Sequence, residues 1–107
     1  MSDLVRFDIA DETATVTLNN PDVRNALSTE MAKQLISAVE EVEQSDARCL
    51  VVQGSGGFFC AGGDIKAMVE GVSRDVDIET RVEEYGLPVN RAVQAVYECP
   101  LPTVAKV

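Results

Sequence analysis

Histidine and tryptophan are both absent from this chain of 107 residues, and aromatic residues make up only 5% of it. A core without tryptophan must be built mainly from Val, Leu, Ile, Ala and Met, and a hydrophobic content of 46% is enough for one. Without histidine, Cys49, Cys60 and Cys99 cannot complete a zinc set, and their spacing fits none. No metal site is expected. An odd number of cysteines leaves one unpaired in any disulfide scheme, so free thiols in a reducing, cytoplasmic setting are the expectation. Long apolar runs are also missing. Stretches such as Cys49-Leu50-Val51-Val52 are far too short to span a membrane. The start, Met1-Ser2-Asp3-Leu4-Val5-Arg6, lacks the basic flank and apolar stretch of a signal peptide.

Basic residues are scarce. Lys33, Lys66 and Lys106 are the only lysines, and 9 Lys and Arg stand against 18 Asp and Glu, for a net charge of -9. An acidic surface repels phosphates and anionic lipids, so neither nucleic acid nor a membrane is an expected partner. Two readings of the acidity stay open. One is a salt-adapted surface whose self-repulsion is screened; the other is an ordinary acidic cytosolic protein.

The length fits one domain. Val5, Phe7 and Ile9 alternate with polar residues, as do Ala14, Val16 and Leu18, so the opening reads as a β-hairpin with one buried face. Asn19-Asn20-Pro21-Asp22 breaks the second strand. Ser28 is a good N-cap for an amphipathic helix to about Gln44, with Met31, Leu35, Ala38, Val39 and Val42 on its apolar face. Leu50-Val51-Val52 predicts a short strand covered on both faces. Asp64 can cap a helix through Ile65, Met68 and Val69, whereas Gly71 to Thr80 is polar and without period. Pro88 fits the first turn of a further helix, with Val89, Ala92, Val93 and Val96 on one face, and Pro100 and Pro102 stop it. Thr103 to Val107 begins a strand. The order β-β-α-β-α-α-β implies an α/β layer structure. A strand beginning so close to Val107 leaves edges unpaired, which predicts a domain cut short; a complete small α/β domain is the alternative.

The chemistry centres on Gly54-Ser55-Gly56-Gly57-Phe58-Phe59-Cys60-Ala61-Gly62-Gly63-Asp64-Ile65, between a buried strand and a helix start. There, backbone N–H groups can face a ligand. A dinucleotide fingerprint beginning at Gly54 would need glycine where Phe59 stands. A P-loop from Gly57 reaches Gly62, but Gly63-Asp64 follows in place of Lys and a hydroxyl residue. Small residues let a ligand approach the backbone, and an N–H at a helix start can hold a developing oxyanion for about 3–4 kcal/mol. A tight loop that uses its glycines only for backbone angles remains the alternative.

Three segments carry a resemblance. Phe59-Cys60-Ala61-Gly62-Gly63-Asp64-Ile65-Lys66 is similar to the F-x-A-G-[AG]-D-[IL] loop of crotonase-type enzymes, the enoyl-CoA hydratase/isomerase family. Asn20-Pro21-Asp22-Val23-Arg24-Asn25-Ala26-Leu27 resembles its R-P-x-x-x-N-A-L segment, and Cys99-Pro100-Leu101-Pro102-Thr103-Val104-Ala105 its C-x-K-P-[TV]-[IV]-A segment. The order matches too. The resemblance implies a spiral of ββα units, with residues 1–107 as the amino-terminal portion of a single domain. It implies acyl-CoA thioester chemistry, with coenzyme A arriving as substrate and no separate cofactor.

By motif position the first of two oxyanion donors is the Gly63 N–H. The second, and the two glutamates of family hydratases, are expected beyond Val107, so residues 1–107 alone are expected not to catalyse hydration. Glu70, Glu79, Glu83 and Glu84 read instead as a solvated helix face. Val23, Arg24, Ala26, Ala61, Asp64 and Ile65 match positions lining the adenine and pantetheine channel, beside the close backbone of Gly62 and Gly63. Arg24 and Lys66 are the candidates to meet phosphates. Asn20 stands where the family often has Arg. Cys60 has no histidine to activate it, which argues against a nucleophile. The resemblance implies syn hydration of a 2-enoyl-CoA and assembly into trimers or dimers of trimers. Isomerisation, thioester hydrolysis, decarboxylation and ring formation share the loop and stay open, as does a non-catalytic interaction module.

Overall fold

Strand β1 (Val5–Ala10) turns back into β2 (Thr13–Leu18) through Asp11 and Glu12, which have φ of 51° and 65°. Two left-handed residues in a two-residue turn match the right-handed twist of the strands, and here they do so without glycine. This computed structural model describes residues 3–63 and 76–107. Helix α1 (Thr29–Glu43) follows, and Ser28 caps it as expected, its Oγ accepting from the Met31 N–H at 3.1 Å. The chain then enters β3 (Cys49–Gly54).

Beyond residues 64–75 the chain is helical from α2 (Ile78–Arg81) through a π-turn (Val82–Gly86) into α3 (Leu87–Glu98), and it ends on β4 (Thr103–Ala105). The sheet order is β1-β2-β3-β4, with β1 antiparallel to β2 and the other two pairings parallel.

The register explains the core. Val16 pairs with Val52 and Ala14 with Leu50, so one face of the sheet presents Ala14, Val16, Leu18, Leu50 and Val52, all buried. Met31, Leu35, Ala38, Val39 and Val42 of α1 are buried against it, the face that the helical spacing predicts. The hairpin's buried face holds for β2 and only in part for β1. Phe7 and Ile9 share the face of Val16 and Ala14 but stay 39% and 40% exposed at the sheet's outer edge. Cover on both faces of β3 is not observed either. Its alternate residues Cys49, Val51 and Gln53 are half-buried beside Thr13, Thr15 and Thr17, with Gln53 Nε2 donating to Thr17 Oγ1 at 3.0 Å.

Pro88 stands in the first turn of α3, as expected, but the segment before it departs from expectation, because helix begins ten residues earlier, at Ile78. Asp77 caps it, accepting from the Thr80 N–H at 2.7 Å, and that bond holds its carboxyl below the usual 3.8. Pro88 therefore lies inside a helical run, where it lacks the N–H owed to the carbonyl of Glu84 and its ring crowds that carbonyl. The structure answers both problems locally. The Leu87 N–H reaches back five residues to the Val82 carbonyl, widening the turn. The Glu84 carbonyl accepts instead from Thr29 Oγ1 at 3.0 Å, tying the π-turn to the start of α1. The expected helix from Asp64 lies outside the described residues. Among those described, no helix is long and apolar enough to cross a membrane.

Candidate functional site

The two loops that carry the family-like motifs are fastened to each other backbone to backbone. After the short turn Pro21–Val23, Arg24 and Asn25 both take left-handed conformations, with φ of 54° and 59°. Proline presets the first helical φ of that turn, and Asn tolerates the left-handed region better than most residues. The chain thereby swings so that Arg24 to Leu27 runs beside Ala61 to Gly63. The Ala61 N–H donates to the Arg24 carbonyl at 3.0 Å, and the Leu27 N–H to the Gly62 carbonyl at 2.7 Å, with Leu27 and Gly63 paired in parallel.

Asn25 sits behind this clasp, wholly buried. Its Oδ1 accepts from the Asn20 N–H at 2.7 Å, and its Nδ2 donates to the carbonyls of Ser55 at 3.0 Å and Phe58 at 2.9 Å. Gly54 leaves room for the same convergence. A Cβ there would run into the Phe58 and Phe59 carbonyls and lie 2.7 Å from Asn25 Nδ2. Gly54→Ala is expected to cost about 1–3 kcal/mol by overpacking, read from urea unfolding. A variant as stable as the parent would mean that the loop can retreat from the strand end.

Gly62 is glycine for a different reason. Its φ is 101°, while an added Cβ would meet nothing within 4 Å. Backbone shape, not space, selects it. A trans peptide points its C=O and N–H in opposite directions. With the Gly62 carbonyl held by Leu27, the Gly63 N–H is turned away from the clasp, and among the described residues nothing accepts from it. Among the described residues it is a fixed, uncommitted donor.

Of the hollows that flank the loop, two adjoin the clasp. One of about 360 Å³ is lined by Arg24, Gly57, Phe58, Phe59, Cys60 and Ala61. The Arg24 guanidinium stands 5.7 Å from the centre of the Phe58 ring, within cation–π range, so an aromatic face and a positive charge share one rim. The other, of about 310 Å³, lies between Leu27, Val52, Phe59 and Cys60 and the α3 residues Val93 and Tyr97, and is apolar.

Of the residues expected at the site, Arg24 and Ala61 line the first hollow, and Gly62 and Gly63 continue directly from it. Val23 is exposed beside Arg24, whereas Ala26 is buried and lines neither hollow. Asp64, Ile65 and Lys66 lie outside the described residues, as does Glu70. Glu79, Glu83 and Glu84 are exposed on the helical run. Cys60 Sγ accepts from the Gly62 N–H at 3.4 Å, within its own loop. Among the described residues no group of acids and cysteines is placed to hold a metal.

Sequence reasoning gave no role to Asn25, although its motif was recognised, nor to Tyr85, whose hydroxyl donates to the Leu27 carbonyl at 3.0 Å. A lone Asn just after a turn was the available signal for the first. Nothing in the sequence marks the second.

Comparison with known proteins places these features in a wider set. Residues 8–107 match the enoyl-CoA hydratase/isomerase family. A Rhodobacter capsulatus protein named "Probable enoyl-CoA hydratase" is 36% identical over 103 residues, covering 96% of this chain and 37% of that protein. The 1,2-epoxyphenylacetyl-CoA isomerase of Escherichia coli is 34% identical over 98 residues, 87% of this chain and 35% of its own length. A crystal structure of an enoyl-CoA hydratase from Polaromonas superposes with a TM-score of 0.86 at 27% identity, over 96% of this chain and 39% of the other. The chain thus spans under two fifths of the length of each.

Proposed function

The chain belongs to the enoyl-CoA hydratase/isomerase family, and from that premise we propose that the whole protein binds an acyl-CoA thioester and stabilises its enolate at the Gly63 N–H. The observation that supports this most directly is the clasp: Leu27 holds the Gly62 carbonyl, so the next N–H faces outward without an acceptor among the described residues. Such a donor is prepaid, because no reorganisation is needed when charge develops on the thioester oxygen. Residues 1–107 supply one donor, and the reading requires a second together with the acid and base.

The coenzyme would lie along the loop, with Ala61 and Ile65 against pantetheine, Val23 and Arg24 toward the adenine end, and the buried Ala26 behind them. Arg24 carries its charge at the rim of the Phe58 hollow, exposed where a phosphate could reach it. Gly62, Asp64 and Lys66 complete the set. Coenzyme A is here part of the substrate, and the reading calls for no other cofactor.

Syn hydration of a 2-enoyl-CoA is the reaction proposed. Crotonyl-CoA offered to the whole protein should lose its conjugated absorbance and yield 3-hydroxybutyryl-CoA. Double-bond isomerisation is the second reading, favoured by a relative named as an isomerase, though of an epoxide, at nearly the same identity as the hydratase-named one. Intact enoyl-CoA after prolonged incubation, with a shifted double bond in a longer substrate, would replace the first reading by the second. Assembly into trimers or dimers of trimers in the cytoplasm belongs to the same proposal.

The net charge of -9 carries a separate proposal, of salt adaptation. Molar KCl shortens the screening length to about 3 Å, which removes most repulsion between surface carboxylates. The melting temperature should therefore rise markedly from dilute buffer to molar KCl. The exposed Arg48–Glu12 pair, 3.6 Å apart, offsets little of this, as surface pairs contribute little to stability. Equal melting in both buffers would reduce the charge to an ordinary acidic surface.

A further inference from the structure

We infer that Asn25 is a positioning residue for the reaction, setting the aim of the Gly63 N–H through the glycine loop; the inference rests on the reading of Gly63 as an oxyanion donor. Asn25 is wholly buried and lines neither of the two hollows beside the clasp. Its amide instead joins three backbone groups: the Asn20 N–H ahead of the turn, and the Ser55 and Phe58 carbonyls of the loop. The loop spans are long, 30 and 33 residues.

The geometry makes the loop's two ends depend on one side chain. Arg24 and Leu27, on either side of Asn25, hold Ala61 and Gly62 by backbone bonds alone. Those bonds fix where the segment lies. Asn25 fixes where the loop enters it, because Phe58 stands just before Phe59, Cys60 and Ala61. If the Phe58 carbonyl loses its donor, the approach to Ala61 loosens, and the clasped Gly62–Gly63 peptide can shift with it by as much as the Ala61 and Leu27 bonds yield. A shift of about 1 Å in a catalytic group can cost roughly a hundredfold in rate.

An amide is needed because the site presents one donor and two acceptors, which only a group with both a carbonyl and an NH₂ can meet together. A carboxylate would keep the bond from Asn20 and set an anionic oxygen against two carbonyl oxygens. Burial and those carbonyls would raise its pKa, and the protonated acid would regain one donor. Among the described residues, the titratable groups on the elements bonded to Asn25 are Asp22 and Arg24 on the turn and Cys60 on the loop.

Asn25→Asp in the whole protein is the test, read by crotonyl-CoA turnover and by the amide resonances of Gly62 and Gly63 across pH. The expected result is a fall of about tenfold to a hundredfold in kcat above neutral pH, with KM little changed. Both turnover and the two amide shifts should return toward parent values as pH falls and the new carboxyl takes up a proton. Asn25→Ala, with no proton to gain, should show the loss without the recovery. If charge in the core prevents Asn25→Asp from folding at high pH, Asn25→Ala carries the test through faster exchange of the Gly62 and Gly63 amides and the same split between kcat and KM. Unmoved amides in a folded variant overturn the proposal. Moved amides with parental turnover support the anchoring by Asn25 and overturn the reading of Gly63 as donor.

Discussion

Gly63→Pro is expected to lower turnover of crotonyl-CoA by about two to three orders of magnitude, the scale of one lost oxyanion donor. Proline deletes the N–H at position 63 and leaves the Gly62 carbonyl in place to accept from Leu27 at 2.7 Å. The clasp therefore need not open when the donor is lost. Binding of the coenzyme portion should persist, because its proposed contacts at Arg24 and Ala61 are untouched. The loss should appear in kcat more than in KM, as for an interaction made chiefly in the transition state.

The ring can also strain the turn, so circular dichroism and melting must match the parent before the kinetics are read. Gly63→Ala provides the second comparison, since it keeps the N–H and adds one methyl group. A large loss in the proline variant and a small one in the alanine variant assign the effect to the donor. Equal losses assign it to the space or shape of the backbone. A folded proline variant working at the parental rate would leave Gly63 as a turn residue and remove the central functional proposal.

Periodicity made α1 legible in the sequence, because a single apolar stripe on a capped helix has few other solutions. Met31, Leu35, Ala38, Val39 and Val42 all lie where that stripe puts them. The hairpin was legible for the same reason at period two. Burial of β1 was not, since alternation in a strand says which face a residue takes and not how far the covering helix extends. Phe7 and Ile9 lie on the correct face but stay partly exposed, Phe7 beside an open hollow that it shares with Lys33, Gln34 and Ala38 of α1. Pro88 does lie in the first turn of α3, but the helical run ahead of it was hidden for a physical reason as well. Proline is common at helix starts and rare inside, and the π-turn that admits it here depends on a bond from Thr29, distant in sequence.

At the candidate site, the glycine spacing marked the loop, and the family resemblance pointed to Gly63 within it. The role of Asn25 could not be read there, because it arises from three backbone partners brought together by the left-handed pair Arg24–Asn25. Local sequence rarely encodes such convergence.

Val39→Asp is expected to destabilise the fold by several kcal/mol, the consequence of placing an unpaired carboxylate in an apolar interior. Val39 is 1% exposed, in the middle of the buried face of α1, in one cluster with Leu35, Val42 and Leu50. None of these offers a hydrogen bond. The new carboxyl should therefore have a folded-state pKa well above the usual Asp value, while its unfolded-state value stays ordinary. With the folded pKa raised, the folded state binds the proton more tightly, so stability rises as pH falls through that raised value and is lowest near neutrality. Urea unfolding at neutral and at mildly acidic pH should show the deficit shrink on acidification, though not vanish, because the apolar contacts of Val39 are still lost. Glu40→Ala, one residue along on the exposed face, should change stability by no more than about 0.5 kcal/mol. If Val39→Asp instead melts with the parent, α1 does not pack on the sheet through this face, and the clasp that depends on α1 and β3 loses its foundation.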